Sequence, residues 1–125
     1  MSSLNRIVLY VRDVEETVEF YQKHFGFEPR REAGDRIVEL VNPAGGASLM
    51  LHPAAKSQKM GQATVKFVFD VRDVEAFSAQ CAKQGLQFGA PPRANGYVFA
   101  NAKDPNKNSI SISSRAFRNA TTPRE

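Results

Sequence analysis

Val-Arg-Asp-Val-Glu stands at Val11–Glu15 and again at Val71–Glu75, sixty residues on in a chain of 125. Five residues can match by chance, so the flanks decide whether this is a repeat. Each copy closes an alternating apolar run, Ile7, Leu9 and Val11 in the first and Phe67, Phe69 and Val71 in the second. A period of two is the mark of a half-buried strand. Each copy also opens a helix. Asp13 is placed to cap the first, with Glu16 three residues on as in a capping box. Val14, Val18, Tyr21 and Phe25 then recur at helical spacing, and Gly26 ends the run. Asp73 caps the second helix, Val74, Phe77, Cys81 and Ala82 form its apolar stripe, and Gly85 ends it.

Three extended segments are expected after each helix. They are Phe27–Glu32, Arg36–Val41 and Ala47–His52 in the first half, and Gln87–Ala90, Tyr97–Ala102 and Ser109–Ser113 in the second. The breaks are turn chemistry: Ala33-Gly34-Asp35, Asn42 to Gly46, Asn95-Gly96, and Asp104 to Asn108. Residues 53–62 read as a linker. The fold class is α+β, two tandem βαβββ modules at 1–60 and 61–125 that together make one structural domain. A sheet with one helix has one covered and one bare face, so two modules are expected to curl a mixed sheet around a small-molecule cavity.

Composition narrows the function. Hydrophobic residues make up 42% and charged residues 24%, as in ordinary globular domains. No run approaches the roughly 18 apolar residues of a membrane span, and the first residues lack the apolar core of a signal peptide. A single cysteine, Cys81, excludes an intrachain disulfide, so a cytoplasmic location is expected. The formal charge of +4 is scattered rather than clustered, apart from Arg115, Arg118 and Arg124 near the end. That pattern argues against nucleic acid and for small anionic ligands.

The paired Val-x-Asp turns, the helix end Phe20-Tyr21-Gln22-Lys23-His24-Phe25-Gly26-Phe27 and the late turn Asp104-Pro105 resemble the vicinal oxygen chelate superfamily. That group includes glyoxalase I, extradiol dioxygenases, and fosfomycin- and bleomycin-resistance proteins. The resemblance covers residues 4–113. It departs at Lys107, where the family's Asp-Pro-Asp-Gly-Asn turn has glycine. The resemblance implies a metal ligand on each of four strands. The first and third, usually His, lie five residues before each valine, at Arg6 and Lys66. The second and fourth, usually Glu, align with Met50 and Ser111. Arg and Lys have no free lone pair at neutral pH, Met is a soft ligand and Ser a weak one. Shifting the register by one brings in only Asn5 as an oxygen donor, so no metal and no cofactor are expected.

Strand parity puts Arg6, Val8 and Tyr10, and likewise Lys66, Val68 and Asp70, on the bare faces. Two like charges facing one hollow require an anion, either Asp70, Glu39 or a ligand's carboxylate or phosphate held by the guanidinium fork. The expected ligand-binding set is Arg6, Tyr10, Met50, Lys66, Asp70 and Ser111. Plainer readings stand beside it. Arg6 and Lys66 pair with Asp70 or Glu39, or reach solvent; His24 serves the helix C-terminus; Met50 fills a cavity wall; Cys81 is inert packing. His52 and Glu39 together offer a relocated metal site. Three functions follow from this reading. The first is a metal-free binder of a small, partly apolar molecule, with or without an acidic group, similar to the antibiotic-sequestering branch. The second is an enzyme of lyase, isomerase or dioxygenase type with a non-standard metal site. The third is an interaction module with a filled cavity. Bleomycin suits the first poorly, because a basic chain repels a cationic drug. A homodimer is expected, its modules pairing within one chain or exchanged between chains.

Overall fold

In a computed structural model, residues 1–118 are described. Arg124, part of the basic tail, lies outside them. The chain divides into two compact units, Met1–Ala63 with Asp104–Lys107, and Thr64–Lys103 with Asn108 onward. Among the described residues no helix is long and apolar enough to cross a membrane.

The first unit runs β1 (Arg6–Val11), α1 (Val14–Phe25), β2 (Glu28–Arg30), β3 (Val38–Val41) and β4 (Ser48–Pro53). Its four-stranded sheet has the order β1-β4-β3-β2, with β1 parallel to β4 and the other pairs antiparallel. Alternation sets what is covered. Leu9, Val11, Val38, Leu40, Leu49 and Leu51 are buried together with Val18, Tyr21 and Phe27. Fully burying a side chain such as Leu40 or Leu51 contributes roughly 1.5–3 kcal/mol. The caps follow the sequence: Asp13 accepts a hydrogen bond from the Glu16 amide, and Gly26 closes α1 in the left-handed region at φ 73°. There the Phe27 amide donates to the Tyr21 carbonyl and the Gly26 amide to that of Gln22.

Sequence periodicity does not reveal one polar knot in this unit. The turn Asp104–Lys107 anchors against the start of α1. Tyr21 Oη donates to Asp104 Oδ2 at 2.7 Å, and Asp104 Oδ1 accepts from the Asn106 amide at 2.8 Å. Asn106 Oδ1 accepts from the Arg12 amide at 2.9 Å, and its Nδ2 donates to Thr17 Oγ1 at 3.0 Å. Thr17 Oγ1 in turn donates to the Asp13 carbonyl. Burial and the neighbouring Asp104 carboxylate push the Tyr21 phenol well above its ordinary range. Lys107 completes the turn at φ 66°, the conformation that glycine takes without strain.

The second unit repeats the plan with β5 (Lys66–Asp70), α2 (Val74–Lys83), β6 (Arg93–Ala94), β7 (Tyr97–Lys103) and β8 (Ser109–Ser113), in the order β5-β8-β7-β6. Asp73 caps α2 by accepting from the Ala76 amide. Three details differ from expectation. Residues 87–90 form no strand; Leu86 and Phe88 are buried, and the Gly89 amide reaches the Asn101 carbonyl at 2.9 Å. The strand comes later, at Arg93–Ala94, beyond Pro91-Pro92, which have no amide hydrogens to give a ladder. Ala82 is exposed, whereas Leu86 beyond the helix is buried. Finally, α2 ends at Lys83 with Gln84 as its cap, one residue before Gly85 at φ 94°.

Candidate functional site

Each helix leaves the opposite sheet face bare, and pairing register fixes what stands on it. In the first unit Arg6 lies beside Ser48, Val8 beside Met50, and Tyr10 beside His52, with Glu39 across from Met50. Arg6, Val8 and Tyr10 are exposed while Leu9 and Val11 are buried, so parity placed these strand residues on the uncovered side. Arg6 Nε meets Glu39 Oε2 at 3.3 Å, with the two side chains 61% and 28% exposed. The plainer reading of Arg6 therefore holds in part: its charge has a carboxylate partner, and much of the guanidinium still faces outward. In the second unit Val68 lies beside Ser111, and Ser111 beside Asn101; Asp70 lies beside Ser113. Lys66, Val68 and Asp70 are exposed, whereas Ser111 is buried. Lys66 Nζ donates to Asn101 Oδ1 at 3.1 Å and lies 6.0 Å from the centre of the Phe99 ring. The structure thus gathers Arg6, Tyr10 and Met50 on one face and Lys66, Asp70 and Ser111 on the other.

A divalent metal does not fit these positions. Arg6, Met50, Lys66 and Ser111 offer no carboxylate or imidazole. Among the described residues no group of three or more His, Cys, Asp and Glu could hold an ion. His52 and Glu39 share a face, but Glu39 is engaged by Arg6, and two donors fall short of the three or four of a protein zinc site. Cys81 is buried on α2, and burial pushes its thiol above the ordinary range, as inert packing requires. His24 lies near the end of α1, and burial, with Lys23 beside it, holds its imidazole below the usual range. Its Nδ1 is buried without a hydrogen bond. Burial therefore disfavours the charged ring at this helix end and works against the pull that the helix dipole exerts on a cation.

The open face of the first unit ends in a hollow of about 360 Å³ bounded by Tyr10, Arg36, His52 and the turn 53–58. The Tyr10 and His52 rings lie 5.1 Å apart at 49°. Arg12 holds the turn in place: its guanidinium donates to the carbonyls of Ala55, at 3.1 Å, and Gln58. The Ala55 amide donates to Gln58 Oε1. Residues 53–62 read as a linker in sequence, yet their first half is a wall. Of the residues around the hollow, the sequence singles out Tyr10 as a ligand contact and His52 only as half of a relocated metal site. It missed Arg36, which precedes β3 and shows no periodicity. In the second unit a hollow of about 430 Å³ runs along α2, with Glu75 and Arg93 bringing opposite charges to its lining.

Comparison with known proteins agrees with this architecture. The sequence pattern of the Glyoxalase/Bleomycin resistance protein/Dioxygenase superfamily matches residues 3–112. No curated protein matches significantly. Solved structures do. TnmS3, an antibiotic binding protein from Streptomyces sp. CB03234, is 21% identical, with 90% of this chain and 94% of that one covered and a TM-score of 0.73. A superfamily member from Sphaerobacter thermophilus DSM 20745 is 19% identical over 90% and 97% of the two chains, with a TM-score of 0.73. A protein from the mobile metagenome of V. Pseudocholerae is 26% identical over 90% and 94%, with a TM-score of 0.70. With a match over most of its length and two βαβββ units in its structure, the chain belongs to the Glyoxalase/Bleomycin resistance protein/Dioxygenase superfamily.

Proposed function

We propose that the protein is a metal-free binder of a small, partly apolar, anionic molecule, held on the open sheet faces through Arg6, Tyr10, Met50, Lys66 and Asp70, with Ser111, 2% exposed, at the floor of the second face. The observation that carries this reading is the chemistry of those faces. Val8, Tyr10 and Val68 are 45%, 49% and 55% exposed, and Arg6 and Lys66 stand among them where a metal-binding relative would carry ligands. Apolar surface studded with a few cations suits an organic anion. Similarity in fold to an antibiotic binding protein supports the same direction. One bare four-stranded face does not enclose a ligand by itself, so the working form is a homodimer, with the cytoplasm as its compartment.

The test combines metal analysis, light scattering and a thermal-shift screen of small anions and aromatic acids. Protein purified without chelator is expected to carry substoichiometric metal and to scatter as a dimer. A ligand present at a hundred times its Kd stabilises by about 2.7 kcal/mol, which the screen would register as a rise in Tm of several degrees. Stoichiometric nickel, zinc, iron or manganese would overturn the reading, and so would a screen in which no compound raises Tm.

A further inference from the structure

The hollow at the end of the first unit's open face joins three polar groups that the fold itself leaves unused. Among the described residues Arg36 makes no ion pair, and its neighbour Asp35 turns its carboxylate onto the Ile37 amide at 2.9 Å. Tyr10 Oη has no hydrogen-bond partner there either, although its ring packs against His52. His52 Nδ1 lies 2.8 Å from the Pro53 carbonyl oxygen. A carbonyl only accepts, so Nδ1 carries a proton, and in that tautomer Nε2 is left as an acceptor. This acceptor sits on β4 beside the Tyr10 ring, in a hollow whose lining also includes the Arg36 side chain.

These groups define a ligand. A guanidinium with its fork free favours a carboxylate. The tilted Tyr10 and His52 rings and the Pro53 wall favour a flat apolar body. A lone acceptor nitrogen favours a hydroxyl that donates. A volume of about 360 Å³ lies at the small end of ligand pockets, the size for a single ring. We propose that this hollow, bounded by Tyr10, Arg36, His52 and the turn 53–58, is a subsite for a hydroxylated aromatic carboxylate. Arg36 takes the carboxylate, and the hydroxyl donates to His52 Nε2. This rests on the proposed binding function and deepens it, naming the ligand class and adding Arg36 and His52 to the residues that meet it. The turn is part of the recognition device, because Arg12 fixes it through the Ala55 and Gln58 carbonyls.

The probes are 4-hydroxybenzoate, benzoate and 4-hydroxybenzyl alcohol, titrated into the full chain by calorimetry and by NMR of backbone amides and imidazole nitrogens. 4-Hydroxybenzoate is expected to shift the Ala54, Ala55 and Gln58 amides and the His52 Nε2 resonance. Loss of the carboxylate in the alcohol, or Arg36→Gln in the protein, is expected to weaken binding at least tenfold. Loss of the hydroxyl in benzoate is expected to weaken it about threefold to tenfold and to abolish the Nε2 shift. Arg36 is exposed, so Arg36→Gln is expected to unfold at the parent temperature, and His52→Phe serves as a second variant that keeps the aromatic wall. Binding of 4-hydroxybenzoate that ignores both variants would overturn the subsite while leaving the binding function standing. Failure of 4-hydroxybenzoate to bind at millimolar concentration would overturn it too, and the wider thermal-shift screen then decides the binding function separately.

Discussion

Replacing Asn106 by alanine tests the polar knot that ties the turn Asp104–Lys107 to α1. Asn106 is 3% exposed and uses both ends of its amide. The substitution removes the bond accepted from the Arg12 amide at 2.9 Å and the bond donated to Thr17 Oγ1 at 3.0 Å. Two such bonds contribute about 2 kcal/mol net, and the Arg12 amide left without its acceptor adds about 1 kcal/mol. Thr17 loses less, because its hydroxyl keeps the Asp13 carbonyl. The expected destabilisation is about 3 kcal/mol, or roughly 10 °C in Tm for a chain of this size. Urea unfolding measures it, read as a shift in midpoint at constant m-value. Asn106→Asp is the companion variant. It keeps an acceptor for Arg12, loses the donor to Thr17 and brings a second carboxylate close to Asp104, so it is expected to cost at least as much. A double-mutant cycle with Thr17→Val should show a coupling of about 1 kcal/mol. A destabilisation below about 1 kcal/mol for Asn106→Ala would show that the knot is solvated and that apolar packing alone holds the turn.

Other outcomes follow from single residues. Burial lowers the His24 pKa, so the unfolded chain takes up that proton first on acidification. Its contribution to stability is intact above the unfolded value of about 6.5 and is lost progressively as pH falls below it. His24→Phe should therefore flatten the urea midpoint between pH 7 and pH 5, and parallel pH profiles for the two proteins would refute the assignment. Cys81, 3% exposed, should react with a thiol reagent more slowly in the native protein than in urea, by a factor on the order of 10³. A native rate equal to the denatured one would place the thiol at the surface. Lys107 sits at φ 66°, so Lys107→Gly should stabilise by about 0.5–1 kcal/mol. A β-carbon added at Gly61 would lie 3.0 Å from Lys107 Cβ, so Gly61→Ala should destabilise and be partly rescued by Lys107→Gly. Strict additivity in that pair would contradict the close approach.

Much of the fold was legible from the repeat. Local chemistry writes helix ends plainly: an aspartate oxygen satisfies the first amides of each helix, and Gly26 turns left-handed without strain. The part of the second half that was misread, residues 87–90, holds a single strand former, Phe88, and Pro91-Pro92 cannot extend a ladder; Leu86 and Phe88 are buried there without one. Period-two alternation also determined which strand residues face away from the helices, because a one-residue slip would have exposed Leu9 and Val11. The identities at Arg6, Met50, Lys66 and Ser111 then sufficed to disfavour a metal, since ligand chemistry is a property of the side chain itself. Contacts between distant segments were left to the tertiary structure. Asn106 finds Arg12 and Thr17 across about ninety residues of chain, Arg6 meets Glu39 rather than Asp70, and Arg36 comes to the hollow beside Tyr10 and His52. No periodicity encodes such meetings. They depend on where loops close, and a loop's course is fixed by long-range bonds like those from Arg12 to the Ala55 and Gln58 carbonyls, more than forty residues away in sequence.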